Sequence, residues 1–106
     1  FSGLSVNCAQ TRRRKPAEVG YGKPNAWGIY NMLGNVREWV WDGYSTFITP
    51  GPVDPFTPQR GHSRIVKGGS WKTSIEDCTS LSRDRSVSTN KGYSDVGFRI
   101  VLAPAL

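Results

Sequence analysis

One stretch of the chain, Asn25–Asp42, is the most informative about its fold. It reads Asn-Ala-Trp-Gly-Ile-Tyr-Asn-Met-Leu-Gly-Asn-Val-Arg-Glu-Trp-Val-Trp-Asp. Its first part, residues 25–31, is read as a turn followed by a short apolar piece. A second turn is predicted at Gly34-Asn35, because Gly favours left-handed backbone and Asn tolerates it.

Beyond that turn the hydrophobic pattern has a period of two. Trp39 and Trp41 fall on one face, and Glu38, Val40 and Asp42 fall on the other. This alternation predicts a strand with a buried tryptophan face.

Further strands are predicted downstream. Residues 64–67 are predicted to form a short strand that ends at Gly68-Gly69-Ser70-Trp71, and residues 81–85 are a weaker candidate for a strand. The clearest strand is predicted over 96–102, where Phe98, Ile100 and Leu102 share a face. Between the strands, residues 43–62 are predicted to form a long loop because Pro and Gly break any regular element there.

Composition agrees with a small, loop-rich protein. The 106 residues include 12 Gly, 7 Pro and 4 Trp, and 37% are hydrophobic. This is the size of one small domain, and no segment is long or apolar enough to span a bilayer. The Gly and Pro content and the absence of an amphipathic pattern argue against a helical bundle. The four tryptophans are expected to be core anchors with partners for their indole N–H groups.

The net charge of +6 is concentrated in one tract, Arg12-Arg13-Arg14-Lys15. Such a tract can bind nucleic acid or an anionic surface, or it can be a solvated loop that maintains solubility. The solvated loop is favoured because no helix carries spaced basic residues and no basic-aromatic ladder follows. Nucleic acid is therefore not an expected partner.

Two cysteines, Cys8 and Cys78, permit one disulfide, but the sequence does not establish that their Cα atoms lie close enough to form it. Neither lies in a metal-binding spacing, and the single histidine, His62, is expected to be exposed. A structural or free thiol is the default at both positions.

Oxygen donors bracket the turn at Gly34-Asn35. Asn31 and Glu38 could supply side chains and Gly34 and Val36 could supply carbonyls to a hard cation such as Ca²⁺, which prefers six to eight oxygens. Alternatively, no metal is bound, Glu38 pairs with an arginine, and Asn31 only closes a turn. In that case Arg99 is expected to form an ion pair with Glu38 or with Asp42.

Three blocks in this order resemble the sulfatase-modifying-factor family, which includes the formylglycine-generating enzyme. They are Asn25–Asp42, then Arg64-Ile-Val-Lys-Gly-Gly-Ser-Trp71, then Gly97-Phe-Arg99. The resemblance covers about residues 19–103 and implies an α+β, loop-rich fold of the C-type-lectin-like type with little regular secondary structure. The chain is then a single domain over 1–106 or the C-terminal part of a larger family domain. Residues 1–18 would be an irregular basic arm.

The resemblance also implies site residues. The family's calcium loop falls on Asn31, Gly34, Val36 and Glu38, so structural Ca²⁺ is expected. The family's two catalytic cysteines fall on Thr73 and Cys78. A hydroxyl cannot replace a thiolate as a ligand for Cu(I), so copper is not expected and no oxidation of cysteine to formylglycine is predicted.

A non-catalytic branch of the fold fits better, including variable ligand-binding proteins of diversity-generating retroelements. Such a module would bind a protein or a small polar ligand through the polar segment 72–96, as paratopes do. An ordinary solvated loop face is the alternative interpretation of that segment. A divergent or truncated formylglycine-generating oxidase that uses Cys78 remains the competing function, and the resemblance favours an extracytoplasmic location. The expected ligand-binding residues are Lys72, Thr73, Ser74, Glu76, Asp77, Arg83, Arg85 and Tyr93.

Overall fold

The computed structural model describes residues 6–41 and 63–104, without the side chains of 83–87. Four short strands form one sheet. They are β1 (Arg37–Trp39), β2 (Ser63–Lys67), β3 (Arg83–Ser88) and β4 (Val96–Gly97). Two 3₁₀ turns, Ala9–Thr11 and Ile75–Asp77, are the helical elements of this described part.

The sheet has the order β3-β2-β1-β4 and mixes both kinds of pairing. β1 runs antiparallel to β2, with Trp39 opposite Val66, and parallel to β4, with Arg37 opposite Val96. β2 and β3 are antiparallel, with an irregularity between Arg64 and Val66. The strand predicted at 64–67 is thus confirmed as β2, and the one predicted at 81–85 is displaced to β3.

The buried interior is small. Ile65 and Val66 of β2 are buried together with Cys8 and Cys78, and polar residues share that interior. Buried polar groups are stable only when they are hydrogen-bonded. The fold therefore depends on a polar network as much as on apolar packing. The buried polar residues of the described part are Asn7, Asn35, Ser70 and Asp95.

The prediction of a buried tryptophan face is wrong at Trp41, whose side chain is 71% exposed. β1 ends at Trp39, which lies half-buried and meets the Tyr93 ring edge-on at 6.5 Å. The predicted anchor Trp27 is 85% exposed. Trp71 is half-buried and donates its indole N–H to the carbonyl of Ser94 at 3.2 Å, as an anchor should.

The strand predicted over 96–102 is reduced to the two residues of β4. Phe98, Ile100 and Leu102 are all exposed, so their alternation does not mark a buried face in this chain. The physical reason is that a strand needs a partner for its backbone groups. β1, only three residues long, lies beside 96–97 alone.

The predicted loop 43–62, with His62, lies outside the described residues. Among residues 6–41 and 63–104, no helical element has the length and apolar character that crossing a membrane requires.

Candidate functional site

The turn at Gly34-Asn35 is built as predicted and joins the N-terminal arm to the sheet. Both residues have positive φ, 74° and 65°. A Cβ on Gly34 would lie 2.6 Å from the carbonyl oxygen of Asn7, so only glycine fits this close approach.

Asn35 is the hydrogen-bonding centre of this region. Its Oδ1 accepts from the side chain of Asn7 at 3.2 Å and from the Ala17 N–H at 2.7 Å. Its backbone carbonyl accepts the Trp71 N–H at 2.9 Å. The arm, the turn and the Gly-Gly-Ser-Trp block are thereby held in one arrangement.

All four residues of the predicted calcium loop line one pocket of ≈ 550 Å³. Asn31 has a φ of 56°, and its Nδ2 donates to the carbonyl of Val19 at 2.9 Å. Its Oδ1 is buried and accepts no hydrogen bond from the described residues. A buried oxygen without a donor is costly, so this atom fits a cation. The lining residues that would supply oxygen ligands to the ion are Asn31, Gly34, Val36 and Glu38.

Arg99 enters the same pocket. Its Nε donates to Glu38 Oε1 at 2.8 Å, and its guanidinium donates to the carbonyls of Tyr30 and Asn31 at 2.8 and 3.0 Å. The ion pair between Arg99 and Glu38, which the sequence offered as the alternative to a metal ion, is therefore present in the structure. Since Arg99 takes Oε1, the Glu38 Oε2 atom is the one left for a metal ion.

Thr73 and Ser70 form a tight turn at the position of the family's first catalytic cysteine. The Thr73 hydroxyl accepts the Ser70 N–H at 2.9 Å and lies 3.4 Å from the Ser70 hydroxyl. The Thr73 carbonyl accepts the Ala9 N–H at 2.9 Å. The functional groups of Thr73 are thus engaged in holding the backbone.

Cys78 lies beneath this turn. It is buried and free, and its Sγ faces the carbonyl of Thr73 at 3.9 Å. Burial raises the pKa of the Cys78 thiol to about 11, with smaller contributions from Cys8 and Asp77. Cys78 is therefore a neutral thiol at neutral pH. The default of a free thiol at Cys8 and Cys78 is confirmed.

Asp95 connects the Gly-Gly-Ser-Trp block to β1 and was not singled out from the sequence. Its carboxylate accepts two hydrogen bonds from Arg37, both at 3.1 Å, and one from the Ser70 hydroxyl at 2.9 Å. Burial by itself would raise the pKa of Asp95. The hydrogen bonds from Arg37 and Ser70 and the Arg37 charge outweigh it and lower that pKa below its ordinary value.

The predicted ligand-binding residues occupy different environments. Lys72, Glu76 and Asp77 are exposed, whereas Thr73 is structural and Tyr93 packs against Trp39. Ser74 donates to Glu76 at 2.8 Å and accepts from Gln10 at 3.2 Å. Arg83 and Arg85 lie on β3, whose outer side is an edge of the sheet. Lys72, Glu76 and Asp77 thus remain accessible to a ligand.

Comparison with known proteins defines the class. Residues 4–104 match the profile of the family described as "Sulfatase-modifying factor enzyme 1-like domain", and the chain belongs to this family. The fold is the C-type-lectin-like fold of the formylglycine-generating-enzyme type.

Individual relatives differ in what they are named for. The chain is 36% identical over 92 residues to the chaperone protein LppX of Paenibacillus barcinonensis, covering 87% of this chain and 29% of that protein. It is 33% identical over 98 residues to the formylglycine-generating enzyme of Streptomyces coelicolor, and the match covers 89% of this chain and 31% of that protein. The solved structure of Treponema denticola variable protein 1 aligns with a TM-score of 0.72 and 31% identity. The alignment covers 89% of this chain and 34% of that chain. The chain thus spans about a third of the length of these relatives.

Proposed function

We propose that this chain is a non-catalytic ligand-binding domain on the formylglycine-generating-enzyme scaffold, with Ca²⁺ bound beside the turn at Gly34-Asn35. The observation that carries the proposal is the pair of residues at the family's catalytic positions. One is a threonine whose hydroxyl is used in a backbone turn, and the other is a buried, neutral thiol.

Formylglycine generation in the family requires two cysteines that bind copper. Thr73 supplies no thiolate, and the thiolate form of Cys78 is disfavoured by burial. Thiolates are the ligands that select Cu(I). The missing thiolate at Thr73 therefore argues against the divergent oxidase, because Cys78 alone cannot form a dithiolate site.

The surface beyond Trp71 supports ligand binding. Lys72, Glu76 and Asp77 are exposed on a segment fixed from below by Thr73 and Asp95. A rigid base with adaptable polar side chains suits recognition of a protein or a small polar ligand, because little entropy is lost on binding. The variable protein of Treponema denticola is similar to this chain in fold, which agrees with such a role.

Sequencing the same locus from related isolates tests the binding role. Amino-acid variation is expected to concentrate between Lys72 and Val96, with Gly68–Trp71 and Gly97–Arg99 unchanged. Even variation across the segment and its flanks would contradict a diversified binding surface.

The proposed ion is bound by the Asn31 side chain, Glu38 Oε2 and the carbonyls of Gly34 and Val36. It would serve as a structural brace by satisfying the buried Asn31 Oδ1. An ion that binds only the folded state at a hundredfold excess over its Kd stabilises it by about 2.7 kcal/mol. We therefore expect Ca²⁺ to raise the Tm by roughly 10–20 °C relative to chelator.

Glu38→Gln should abolish this rise, and Glu76→Gln, at an exposed carboxylate, is the matched control. Equal melting of the wild-type chain with Ca²⁺ and with chelator would contradict the ion.

A further inference from the structure

Arg12 and Arg14 converge with Trp71 and Lys72 on an open cleft of ≈ 660 Å³. The cleft lies at one end of the ligand surface, between the N-terminal arm and the Gly-Gly-Ser-Trp block. Its lining is completed by Ala9, and the described residues that line it include no carboxylate. Three basic residues and no acidic residue therefore line this cleft in the described part of the chain.

The four basic residues are exposed, as predicted for a solvated loop, but the backbone of the tract is held in place on both sides. On one side, the Ala9 N–H donates to the Thr73 carbonyl at 2.9 Å, and the Gln10 side chain bonds to Ser74 and Ile75 at 3.2 and 3.0 Å. On the other side, Asn7 donates to the carbonyl of Lys15 at 3.0 Å. The backbone that positions Arg12 and Arg14 at the cleft is thus held by hydrogen bonds on both sides.

The backbone of the tract is left-handed at the two arginines that line the cleft. Arg12 and Arg14 both have a φ of 60°, a region that disfavours side chains such as arginine. Arg13 between them lies elsewhere, 3.8 Å from Glu18 and over the Tyr21 ring. At Arg12 this conformation forms the left-handed cap that ends the Ala9–Thr11 turn, with the Arg12 N–H bonded to the Ala9 carbonyl.

The base of the cleft combines a cation and an aromatic ring. Lys72 Nζ lies 5.0 Å from the centroid of the Trp71 ring. The Trp71 indole N–H is bonded to Ser94, which fixes the ring. An arginine pair recognises a tetrahedral oxyanion through charge-assisted hydrogen bonds, and a fixed indole offers a flat surface to a ring attached to it.

We infer that this cleft is a binding site for a phosphate or sulfate monoester carried on a flat ring, with Arg12, Arg14 and Lys72 holding the anion and Trp71 contacting the ring. The inference names a ligand chemistry for one end of the proposed ligand surface and to that extent rests on the proposed function. The site itself needs neither the calcium ion nor the thiol.

Isothermal titration calorimetry of the whole chain with phenyl phosphate, phenyl sulfate and inorganic phosphate tests the site. We expect saturable 1:1 binding, tighter for a phenyl ester than for inorganic phosphate because the ring adds contact with Trp71. The ratio of the dissociation constants for phenyl phosphate and phenyl sulfate shows which of the two anions the site prefers. No saturable binding of any of the three would overturn the inference.

The paired variant Arg12→Gly/Arg14→Gly removes both cleft arginines and places glycine where positive φ carries no penalty. We expect its Tm to be unchanged or higher and its affinity for the phenyl ester to fall at least about tenfold. Lys72→Gln should weaken binding as well. The charge-matched control is Arg13→Gln/Lys15→Gln, whose residues do not line the cleft.

Equal weakening by the two double variants would show only attraction to the net positive charge and would overturn the site. These outcomes are separate from the proposed function. Oxidation of a cysteine peptide by the chain would refute the non-catalytic role and leave the anion measurements as they stand.

Discussion

Removal of the Asp95 carboxylate is the sharpest structural prediction, because three hydrogen bonds and one ion pair meet there. The Arg37 and Asp95 side chains are 19% and 10% exposed, and Ser70 is fully buried. Removing one partner of a buried ion pair costs about 3–5 kcal/mol. Since Arg37 keeps some access to water, the lower value applies. Loss of the acceptor for the Ser70 hydroxyl adds about 1 kcal/mol.

Asp95→Ala should therefore destabilise the fold by about 4 kcal/mol. For a chain of this size that lowers the Tm by roughly 16 °C or more. Asp95→Asn keeps an acceptor but loses the charge, and should cost about 2 kcal/mol. Thermal unfolding followed by circular dichroism measures both variants, and Asp77→Asn, at an exposed carboxylate, is the control with no expected change.

The pH dependence follows from the lowered pKa of Asp95. A carboxyl whose pKa is lower in the folded state contributes stability that is complete above its unfolded pKa, and this stability is lost as the pH falls through the folded value. The difference between wild type and Asp95→Asn should accordingly be full at pH 6 and shrink below the ordinary pKa of 3.8. A Tm for Asp95→Ala within 3 °C of wild type at pH 6 would refute the reasoning.

Two further predictions concern the turn and the buried thiol. Gly34→Ala should lower stability by at least about 2 kcal/mol in urea unfolding, because it adds both left-handed strain and a 2.6 Å contact with Asn7. Gly92→Ala, with no atom within 4 Å of the new Cβ, should change it by less than about 0.5 kcal/mol. Alkylation of Cys78 in the folded Cys8→Ala variant should be slow at pH 7.5 and accelerate as the pH approaches 11, whereas urea should make it fast at pH 8.5. Rapid alkylation of the folded protein at pH 7.5 would show that the thiol is accessible and ionised.

Local patterns in the sequence predicted the local structure well. The left-handed turn at Gly34-Asn35 and the short strand at 64–67 depend on backbone preference and on neighbouring residues, and both are present. Alternation failed where pairing decides the outcome, as it did for Phe98 and Ile100, which have the pattern of a strand but pair with no strand of the described residues.

The sequence indicated residues that line the pocket, but not the residues that support it. Asn31 and Glu38 were found because their oxygens bracket a turn, and Arg99 because an arginine beside a carboxylate forms an ion pair. Asp95 was not identified and Asn35 was identified only as a turn residue, because a single polar residue in a polar segment gives no sign that folding will bury it. The two cleft arginines were indistinguishable from Arg13 in sequence, since only backbone geometry separates their directions.

The central claim, that the scaffold is retained without the oxidase chemistry, is tested most directly by turnover. The chain is incubated in air with copper, a reductant and a cysteine-containing sulfatase-motif peptide, and the peptide is examined by mass spectrometry for formylglycine. The Streptomyces coelicolor enzyme is the positive control and Cys78→Ser the negative one. The account predicts that wild type and Cys78→Ser both leave the peptide unconverted, and conversion by wild type that is lost in Cys78→Ser would contradict it.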